Sequence, residues 1–190
     1  MDAYLLTLVA FLGYLLGSVP TGVLLSRLFG WPDPRLYGSR HIGAMNSYRV
    51  GGMQAMILVL FGDALKGIAA VVMAEAITLN VWAIPIAGTA AVAGHNWPVW
   101  LGFKGGMGLS TGAAAMAVQF FPAVLVAAAW WGLLRLILRH TPRSTVVAAI
   151  LAPITLLVLP LNDLTLPTIV LAIGVCILVG VRPLTDLKRD

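Results

Sequence analysis

The sequence has little charge and almost no cysteine. Only 10% of its 190 residues are charged, whereas a soluble domain carries about 25%. Hydrophobic residues make up 60% of the chain, and apolar runs of roughly 20 residues, long enough to span a bilayer, recur from end to end. The single cysteine, Cys176, lies in one of these runs and cannot form an intramolecular disulfide. We therefore predict an integral membrane protein rather than a soluble domain.

Several catalytic and targeting patterns are also missing. The sequence contains no Cys-x-x-Cys pair, no His-x-x-x-His pair and no Walker A loop, so neither a tight zinc site nor a nucleotide site is expected. The first charge is the acidic Asp2, so the apolar start lacks the basic stretch of a signal peptide. No polar segment is long enough to fold separately, and residues 1–190 are interpreted as one domain.

Seven apolar segments can be separated along the chain. They cover residues 3–28, 51–76, 80–101, 107–121, 122–138, 144–160 and 164–181. The division between the fourth and fifth follows Gln119-Phe-Phe-Pro122, because proline ends or kinks a helix. The fourth segment would cover roughly 22 Å, which is short for a core of about 30 Å, so a re-entrant half-helix is the alternative there.

The positive charges support this division. Eleven of the twelve Lys and Arg residues follow segments one, three, five and seven: Arg27, Arg35, Arg40, Arg49, Lys104, Arg135, Arg139, Arg143, Arg182, Lys188 and Arg189. The alternate connections contain Glu75, Gln119, Asn162 and Asp163 but no cation. Since cytoplasmic loops carry the excess of Lys and Arg, we predict an all-α bundle of about seven transmembrane helices with the N-terminus outside and the C-terminus cytoplasmic.

The twelfth cation lies inside an apolar segment. Lys66 follows Asp63 by three residues, so the two side chains share one helical face and can pair. Charged groups at membrane depth are costly and seldom face lipid. Two interpretations remain open here: a self-neutralising pair that packs the segment into the bundle, or a residue that lines a polar pocket.

Two polar, glycine-rich segments on the predicted cytoplasmic side carry the candidate chemistry. Residues 33–49 and 94–111 combine glycines, hydroxyls and cations, and each leads into a predicted helix. Residues 16–22, with Ser18, provide a third polar patch inside the first span. Glycines let backbone approach a ligand, and a helix start favours negative charge. The pattern indicates a phosphate site, although arginines that merely anchor to anionic lipid and glycines that merely turn are the plainer alternatives.

Four motifs, in order along the chain, resemble the PlsY family of bacterial glycerol-3-phosphate acyltransferases. They are Gly17-Ser18 with Pro20 and Gly22; Asp33-x-Arg35 followed by Gly38-Ser39, Gly43-Ala44, Asn46 and Arg49; Asp63-x-x-Lys66-Gly67; and Gly94-His95-x-x-Pro98 followed by Phe103-Lys104-Gly105-Gly106-x-Gly108 and Thr111. The resemblance implies transfer of a fatty acyl group from acyl phosphate to the 1-hydroxyl of glycerol-3-phosphate. The product would be lysophosphatidic acid for phospholipid synthesis, made at the inner (plasma) membrane on its cytoplasmic face. No metal, cofactor or nucleic acid is implied.

The resemblance also assigns residues. Ser39, Asn46 and Arg49 are expected to bind one headgroup, Lys104 with the amides of Gly105 and Gly106 the other phosphate, and His95 to orient or accept a hydrogen bond. The wider phosphate-binding set is Gly38, Arg40, Gly43, Gly105, Gly106, Gly108 and Thr111. The expected supporting residues are Ser18, Asp33, Arg35, Asp63 and Lys66.

The chain departs from the family pattern within the second and fourth of these motifs. Arg40, His41 and Met45 stand where the family has glycine, asparagine and threonine, and Met107 replaces its second lysine. Such clustered changes are typical of altered substrate choice or of lost catalysis. The alternative hypothesis is therefore a non-catalytic relative that binds a lipid phosphate or a membrane partner. No internal repeat is visible, which disfavours a transporter.

Overall fold

A computed structural model describes residues 2–159 and 164–186, and these residues form helices joined by turns. The α-helices are α1 (Asp2–Ser18), α2 (Thr21–Phe29), α3 (Ala44–Ile77), α4 (Ala83–Asn96), α5 (Leu109–Leu138), α6 (Thr141–Val158) and α7 (Leu166–Asp186), with short 3-10 helices at Pro34–Leu36 and Val99–Leu101. Five stretches of the described chain are long and apolar enough to cross a bilayer. The predicted all-helical membrane fold is confirmed, while the count of seven spans and the outside N-terminus stay predictions.

Two of the predicted segments differ from the helices observed. Segment 3–28 divides into α1 and α2 at Val19 and Pro20, because proline cannot donate a backbone hydrogen bond to the preceding turn. Segment 80–101 contains a helix of only 14 residues, α4, which is about 21 Å long. The rest of this segment, residues 97–101, contains the 3-10 helix Val99–Leu101. Asn162, Asp163, Lys188 and Arg189 lie outside the described residues.

The long helix α5 is broken at Phe120, where φ is −162° and ψ is 89°. The two ends of α5 nevertheless lie beside the same part of α7. Arg182 of α7 binds the carbonyl of Gly106, just before α5 begins. Gly180 packs against Ala149 of α6, which follows α5 after a two-residue connection. The chain therefore folds back at Phe120, inside the range where the sequence predicted a break.

Close contacts at glycine fix the direction of the helices that position the site. A Cβ on Gly13 would lie 2.7 Å from the carbonyl oxygen of Ala87, and one on Gly17 would lie 2.0 Å from that of Ala91. Only glycine permits such an approach. From Gly13 to Gly17 the contacted residue advances from Ala87 to Ala91, so α1 and α4 run parallel. Their C-terminal ends, at Ser18 and Asn96, therefore meet at one end of the bundle.

Candidate active site

A buried carboxylate, Asp63 of α3, is the centre of the site. Its Oδ1 lies 3.0 Å from the Nζ atom of Lys66 and also accepts a hydrogen bond from the hydroxyl of Thr21. The Nδ1 atom of His95 lies 3.4 Å from the same oxygen. Asp63 and His95 are 1% and 2% exposed. Burying a charge is tolerated only when it is paired, so this cluster joins α2, α3 and α4 through polar contacts inside the bundle.

The same turn of α3 also contacts the non-helical residues after α1 and the start of α5. The Nζ atom of Lys66 donates to the carbonyl of Val19 at 3.1 Å. The hydroxyl of Thr111 donates to the Asp63 carbonyl at 2.9 Å, and a Cβ on Gly67 would lie 2.2 Å from the Thr111 carbonyl oxygen. The Asp-x-x-Lys-Gly motif thus forms the self-neutralised pair that packs α3 against its neighbours, the first of the two interpretations left open by the sequence. That one of the two residues lines a polar pocket stays a prediction.

The glycine-rich loop before α5 lies directly on His95. A Cβ on Gly106 would lie 2.0 Å from the Nε2 atom of that histidine. The amides of Gly105 and Gly106 donate to the carbonyls of Asn96 and His95 at 3.1 and 3.0 Å. The prediction that these two amides hold a phosphate is therefore wrong for this arrangement of the loop, because both are already used.

Further backbone donors near this loop belong to the first turn of α5. Gly108 ends the loop with φ at 77° and precedes Leu109, the first helical residue. The first N–H groups of a helix have no intrahelical acceptor and favour an anion. Thr111, expected to bind phosphate, is 0% exposed and its hydroxyl is bonded to Asp63. It therefore joins helices, and its side chain does not face a ligand.

Arg182, near the end of α7, binds the backbone of the glycine loop. It is 1% exposed, and its Nε and Nη2 atoms donate to the carbonyls of Gly106 and Gly105 at 3.0 and 3.4 Å. Its guanidinium lies over the ring of Trp97, 5.9 Å from the centroid. From the sequence, Arg182 was expected only to mark the cytoplasmic side. A lone arginine at the end of the last apolar segment was the available signal, but its partners are about 80 residues earlier.

Asn46 organises the first polar loop. Its Nδ2 atom lies 2.7 to 3.1 Å from three loop carbonyls, and its Oδ1 accepts from the amide of Ser39 at 3.1 Å and from Nη1 of Arg49 at 3.3 Å; the three carbonyls belong to Pro34, Tyr37 and His41. Asn46 is 2% exposed. Its amide holds the loop together and orients Arg49, whereas a direct contact with substrate stays a prediction.

The charges of this loop divide into a pair and two unpaired cations. Arg35 and Asp33 form an ion pair with Nη2 and Oδ2 2.5 Å apart. The Arg35 guanidinium lowers the pKa of Asp33 and is itself held charged by that carboxylate. Arg40 and Arg49 are exposed and have no ion-pair partner among the described residues. Arg40 and Arg49 are therefore the cations of this region that are available to an anionic ligand.

Arg40 adopts a backbone conformation that favours glycine. Its φ is 58°, which costs an L-residue about 1–2 kcal/mol. We predict that Arg40→Gly raises the free energy of unfolding by about 1 kcal/mol, read as a higher thermal midpoint in detergent. Arg27→Gly is the control, because Arg27 lies in the last turn of α2, where glycine costs about 1 kcal/mol. Equal shifts in the two variants would contradict the assignment of strain to Arg40.

The remaining predicted residues lie around these two loops. Ser39 and Lys104 are exposed, and Gly43 precedes α3. Gly38 has φ at 54°, and a Cβ there would lie 2.4 Å from Asn46 Oδ1. Ser18 is buried, and its hydroxyl has no hydrogen-bond partner in the described part of the chain. Met45 is 67% exposed, so its side chain does not fill the loop.

The pattern Gly-x-Ser-x-Gly of a nucleophile elbow occurs at residues 108–112. An elbow presents its serine between a strand and a helix. Here the segment follows a 3-10 helix and a loop, and Ser110 is the second residue of α5. No group of three His, Cys, Asp or Glu side chains within residues 2–159 and 164–186 is arranged to hold a metal.

A continuous series of contacts joins the two polar loops. A Cβ on Gly22 would lie 2.1 Å from the carbonyl oxygen of Ile42 in the first loop. Gly22 follows Thr21, which bonds to Asp63. His95 lies between Asp63 and Gly106 of the second loop. Both loops are thus at the same end of the bundle, with Arg49 in the first turns of α3, next to the first loop, and Lys104 on the second loop.

Comparison with known proteins shows the family of this chain. The sequence profile of the family Glycerol-3-phosphate acyltransferase matches residues 7–189. Relatives named glycerol-3-phosphate acyltransferase include those of Rubrobacter xylanophilus, 41% identical over 79% of this chain and 75% of the relative, and Pseudomonas putida, 44% identical over 78% and 77%. The crystal structure of PlsY, an integral membrane glycerol 3-phosphate acyltransferase in its glycerol 3-phosphate form, is 29% identical with a TM-score of 0.80, covering 97% of this chain and 90% of that one.

Proposed function

This chain belongs to the glycerol-3-phosphate acyltransferase family and is a membrane acyltransferase, and we propose that it takes its acyl group from an acyl phosphate. The acceptor is the 1-hydroxyl of glycerol-3-phosphate, and the products are lysophosphatidic acid and inorganic phosphate. The observation that carries the proposal is the convergence of two cation-bearing loops on one buried cluster, Thr21, Asp63 and His95.

Two anionic groups have to be held side by side for this reaction. Arg40 on the first loop and Arg49 in the first turns of α3 are exposed cations, and Asn46 fixes the position of Arg49. On the second, Lys104 is exposed and the first turn of α5 offers backbone N–H groups. We assign one phosphate to each loop. Arginine offers two parallel hydrogen bonds to a phosphate, and lysine acts as a point charge.

Positioning supplies most of the catalysis that this chemistry needs. The 1-hydroxyl oxygen attacks the carbonyl carbon of the acyl phosphate, the bond from that carbon to the phosphate oxygen breaks, and the hydroxyl proton leaves on the released phosphate. The anhydride is already activated, so the protein's task is to align the reactants and to stabilise the developing negative charge. His95 is assigned to holding the glycine loop in place, since its two ring nitrogens face Asp63 and Gly106.

The positive charges of the same loops indicate which side of the membrane the active site faces. The cation-bearing loops after α2, α4 and α5 lie at one end of the bundle with Arg182. Since cytoplasmic loops carry the excess of Lys and Arg, we propose that this end faces the cytoplasm and that the enzyme resides in the inner (plasma) membrane. A cytoplasmic phosphorylated acceptor would reach the site without crossing the bilayer.

An assay of donor specificity tests the proposal. Purified protein in detergent receives glycerol-3-phosphate with either palmitoyl phosphate or palmitoyl-coenzyme A. We expect lysophosphatidic acid and inorganic phosphate in equal amounts from palmitoyl phosphate, and no product above a protein-free control from the thioester. Faster turnover of the thioester would overturn the donor assignment. A Met107→Lys variant in the same assay measures whether the missing second lysine limits the rate.

A further inference from the structure

The peptide group between Gly105 and Gly106 is held from both sides. Its carbonyl accepts from Nη2 of Arg182 on α7 at 3.4 Å, and its N–H donates to the carbonyl of His95 on α4 at 3.0 Å. The carbonyl and the N–H of a trans peptide point in opposite directions, so one helix binds each side of this peptide group. Its orientation is therefore fixed, although both residues are glycines.

The next peptide group, between Gly106 and Met107, is held from one side only. Its carbonyl accepts from Nε of Arg182 at 3.0 Å, and the peptide bond is trans. The N–H of Met107 consequently points away from Arg182, and it has no acceptor among the described residues. An anion approaches the loop from the side opposite the buried guanidinium, so this N–H is an additional donor beside those of the first turn of α5.

A rotation of the Gly106–Met107 peptide group would reverse its dipole. Glycine lacks the Cβ that restricts neighbouring peptide planes, so the rotation meets little steric resistance. After half a turn the carbonyl oxygen of Gly106 would face the phosphate, and groups of like charge repel. The hydrogen bond from Arg182 opposes this rotation, because bonds from a charged donor are stronger than bonds between neutral groups.

The guanidinium of Arg182 is itself held in place. The side chain is 1% exposed, and its guanidinium lies over the ring of Trp97. One turn earlier on α7, the carbonyl of Leu178 accepts from Nδ2 of Asn96 at 3.0 Å, so α7 is bound to the end of α4. The carbonyl of Trp97 accepts from the hydroxyl of Tyr14 on α1 at 2.8 Å. Three helices therefore fix the position from which Arg182 binds the loop.

We propose that Arg182 is a positioning residue that keeps the N–H of Met107, and not the carbonyl of Gly106, turned toward the phosphate of the second loop. The proposal rests on the proposed function, which places a phosphate there. Arg182 acts through the backbone and does not touch the substrate. Without it, only the molecules with this peptide group correctly turned bind the phosphate, and the apparent affinity falls in proportion to their fraction.

Steady-state kinetics of Arg182→Met test the proposal, because methionine keeps an apolar side chain in the buried position and removes the donors. We expect KM to rise about tenfold or more, as for the loss of a charged hydrogen bond, for the one substrate whose KM also rises in Lys104→Ala. The value of kcat should change little, and Arg182→Lys, which keeps one charged donor, should recover part of the loss. A lower kcat with unchanged KM, the result expected from partial unfolding, would overturn the proposal.

Gln119→Met is the matched control for this substitution. Gln119 lies on α5 and its Nε2 donates to the hydroxyl of Thr168 on α7 at 3.4 Å. The variant therefore removes another polar contact to α7, away from the two loops. We expect wild-type KM for both substrates. A rise in KM equal to that of Arg182→Met would show that any loosening of α7 has this effect, and would contradict a specific role for Arg182.

A backbone ester at residue 107 tests whether Arg182 acts through this N–H. The ester replaces the N–H of Met107 by oxygen and leaves the side chain and Arg182 unchanged, so it stays informative if Arg182→Met does not fold. The ester alone should raise the same KM. Combined with Arg182→Met it should add little, because two changes that act through one group are not additive. Effects that multiply, or an ester without effect, would overturn the proposal.

Direct binding separates this proposal from the assignment of the acyl donor. Calorimetric titration with glycerol-3-phosphate and with inorganic phosphate needs no turnover. We expect Arg182→Met to weaken binding of at least one of these anions about tenfold or more. Unchanged binding of both would overturn the positioning role, whereas turnover of the thioester in the donor assay would overturn only the donor assignment.

Discussion

Gly106→Ala is expected to lower kcat/KM for glycerol-3-phosphate about 100-fold or more while the protein stays folded. The added Cβ would lie 2.0 Å from Nε2 of His95, so either the histidine or the loop has to move. His95 is buried and its other nitrogen faces Asp63, so the loop is the part that yields. A misplacement of about 1 Å near reacting groups costs about 100-fold in rate.

Gly132→Ala is the matched control for this substitution. Gly132 lies in α5, and a Cβ added there meets nothing within 4 Å. Alanine at a helical glycine stabilises by about 0.5–1 kcal/mol, so we expect normal activity and a slightly higher thermal midpoint. Steady-state kinetics and thermal unfolding of both variants check the prediction. If Gly106→Ala turns over as fast as Gly132→Ala, His95 does not hold the glycine loop.

Asp63→Ala is expected to lower the free energy of unfolding by about 3–5 kcal/mol, because it leaves a buried ammonium without its partner. Lys66 is 6% exposed and its Nζ lies 3.0 Å from the removed carboxylate. The hydroxyl of Thr21 loses its acceptor in the same variant. Denaturant titration in mixed micelles, compared with the unchanged protein, measures the loss.

The double variant Asp63→Ala, Lys66→Met separates stability from activity. An apolar replacement of both charges removes the uncompensated ammonium, so most of the lost stability should return. Activity should stay low, because Thr21 loses its acceptor and His95 loses the carboxylate that it contacts, and these contacts fix the two loops relative to each other. Full activity in the double variant would show that the Asp63–Lys66 pair contributes to packing and not to activity.

Patterns that depend on neighbouring residues were predictable from the sequence. The apolar segments predicted the helical bundle, Pro122 predicted the break that the structure has at Phe120, and the i,i+3 spacing predicted the Asp63–Lys66 pair. Each of these depends on a proline, on hydropathy or on helical spacing within a few residues. The loops after α2, α4 and α5 were expected on one side, and the contacts of the described residues bring them to one end of the bundle.

Interactions between distant segments were not predictable in the same way. The sequence cannot say that Arg182 binds the carbonyls of Gly105 and Gly106, because nothing in the last helix specifies a partner so far back in the chain. It also cannot say that the amides of these glycines are already bonded to α4. Asn46 was expected to touch substrate, since a polar residue in a glycine-rich loop gives no sign that its amide is engaged within the loop.

The central claim is that one exposed cation from each loop holds a phosphate in the same reacting complex. The most direct measurement is kcat/KM for both substrates in Arg49→Ala and Lys104→Ala, with Arg143→Ala, an exposed cation at the start of α6, as the control. Losing a hydrogen bond to a charged group costs about 1.5–3 kcal/mol, so each site variant should fall about ten- to over a hundredfold. The control should stay within a factor of about two, as expected for a surface substitution. Wild-type kcat/KM in either site variant, or an equal loss in Arg143→Ala, would contradict the claim.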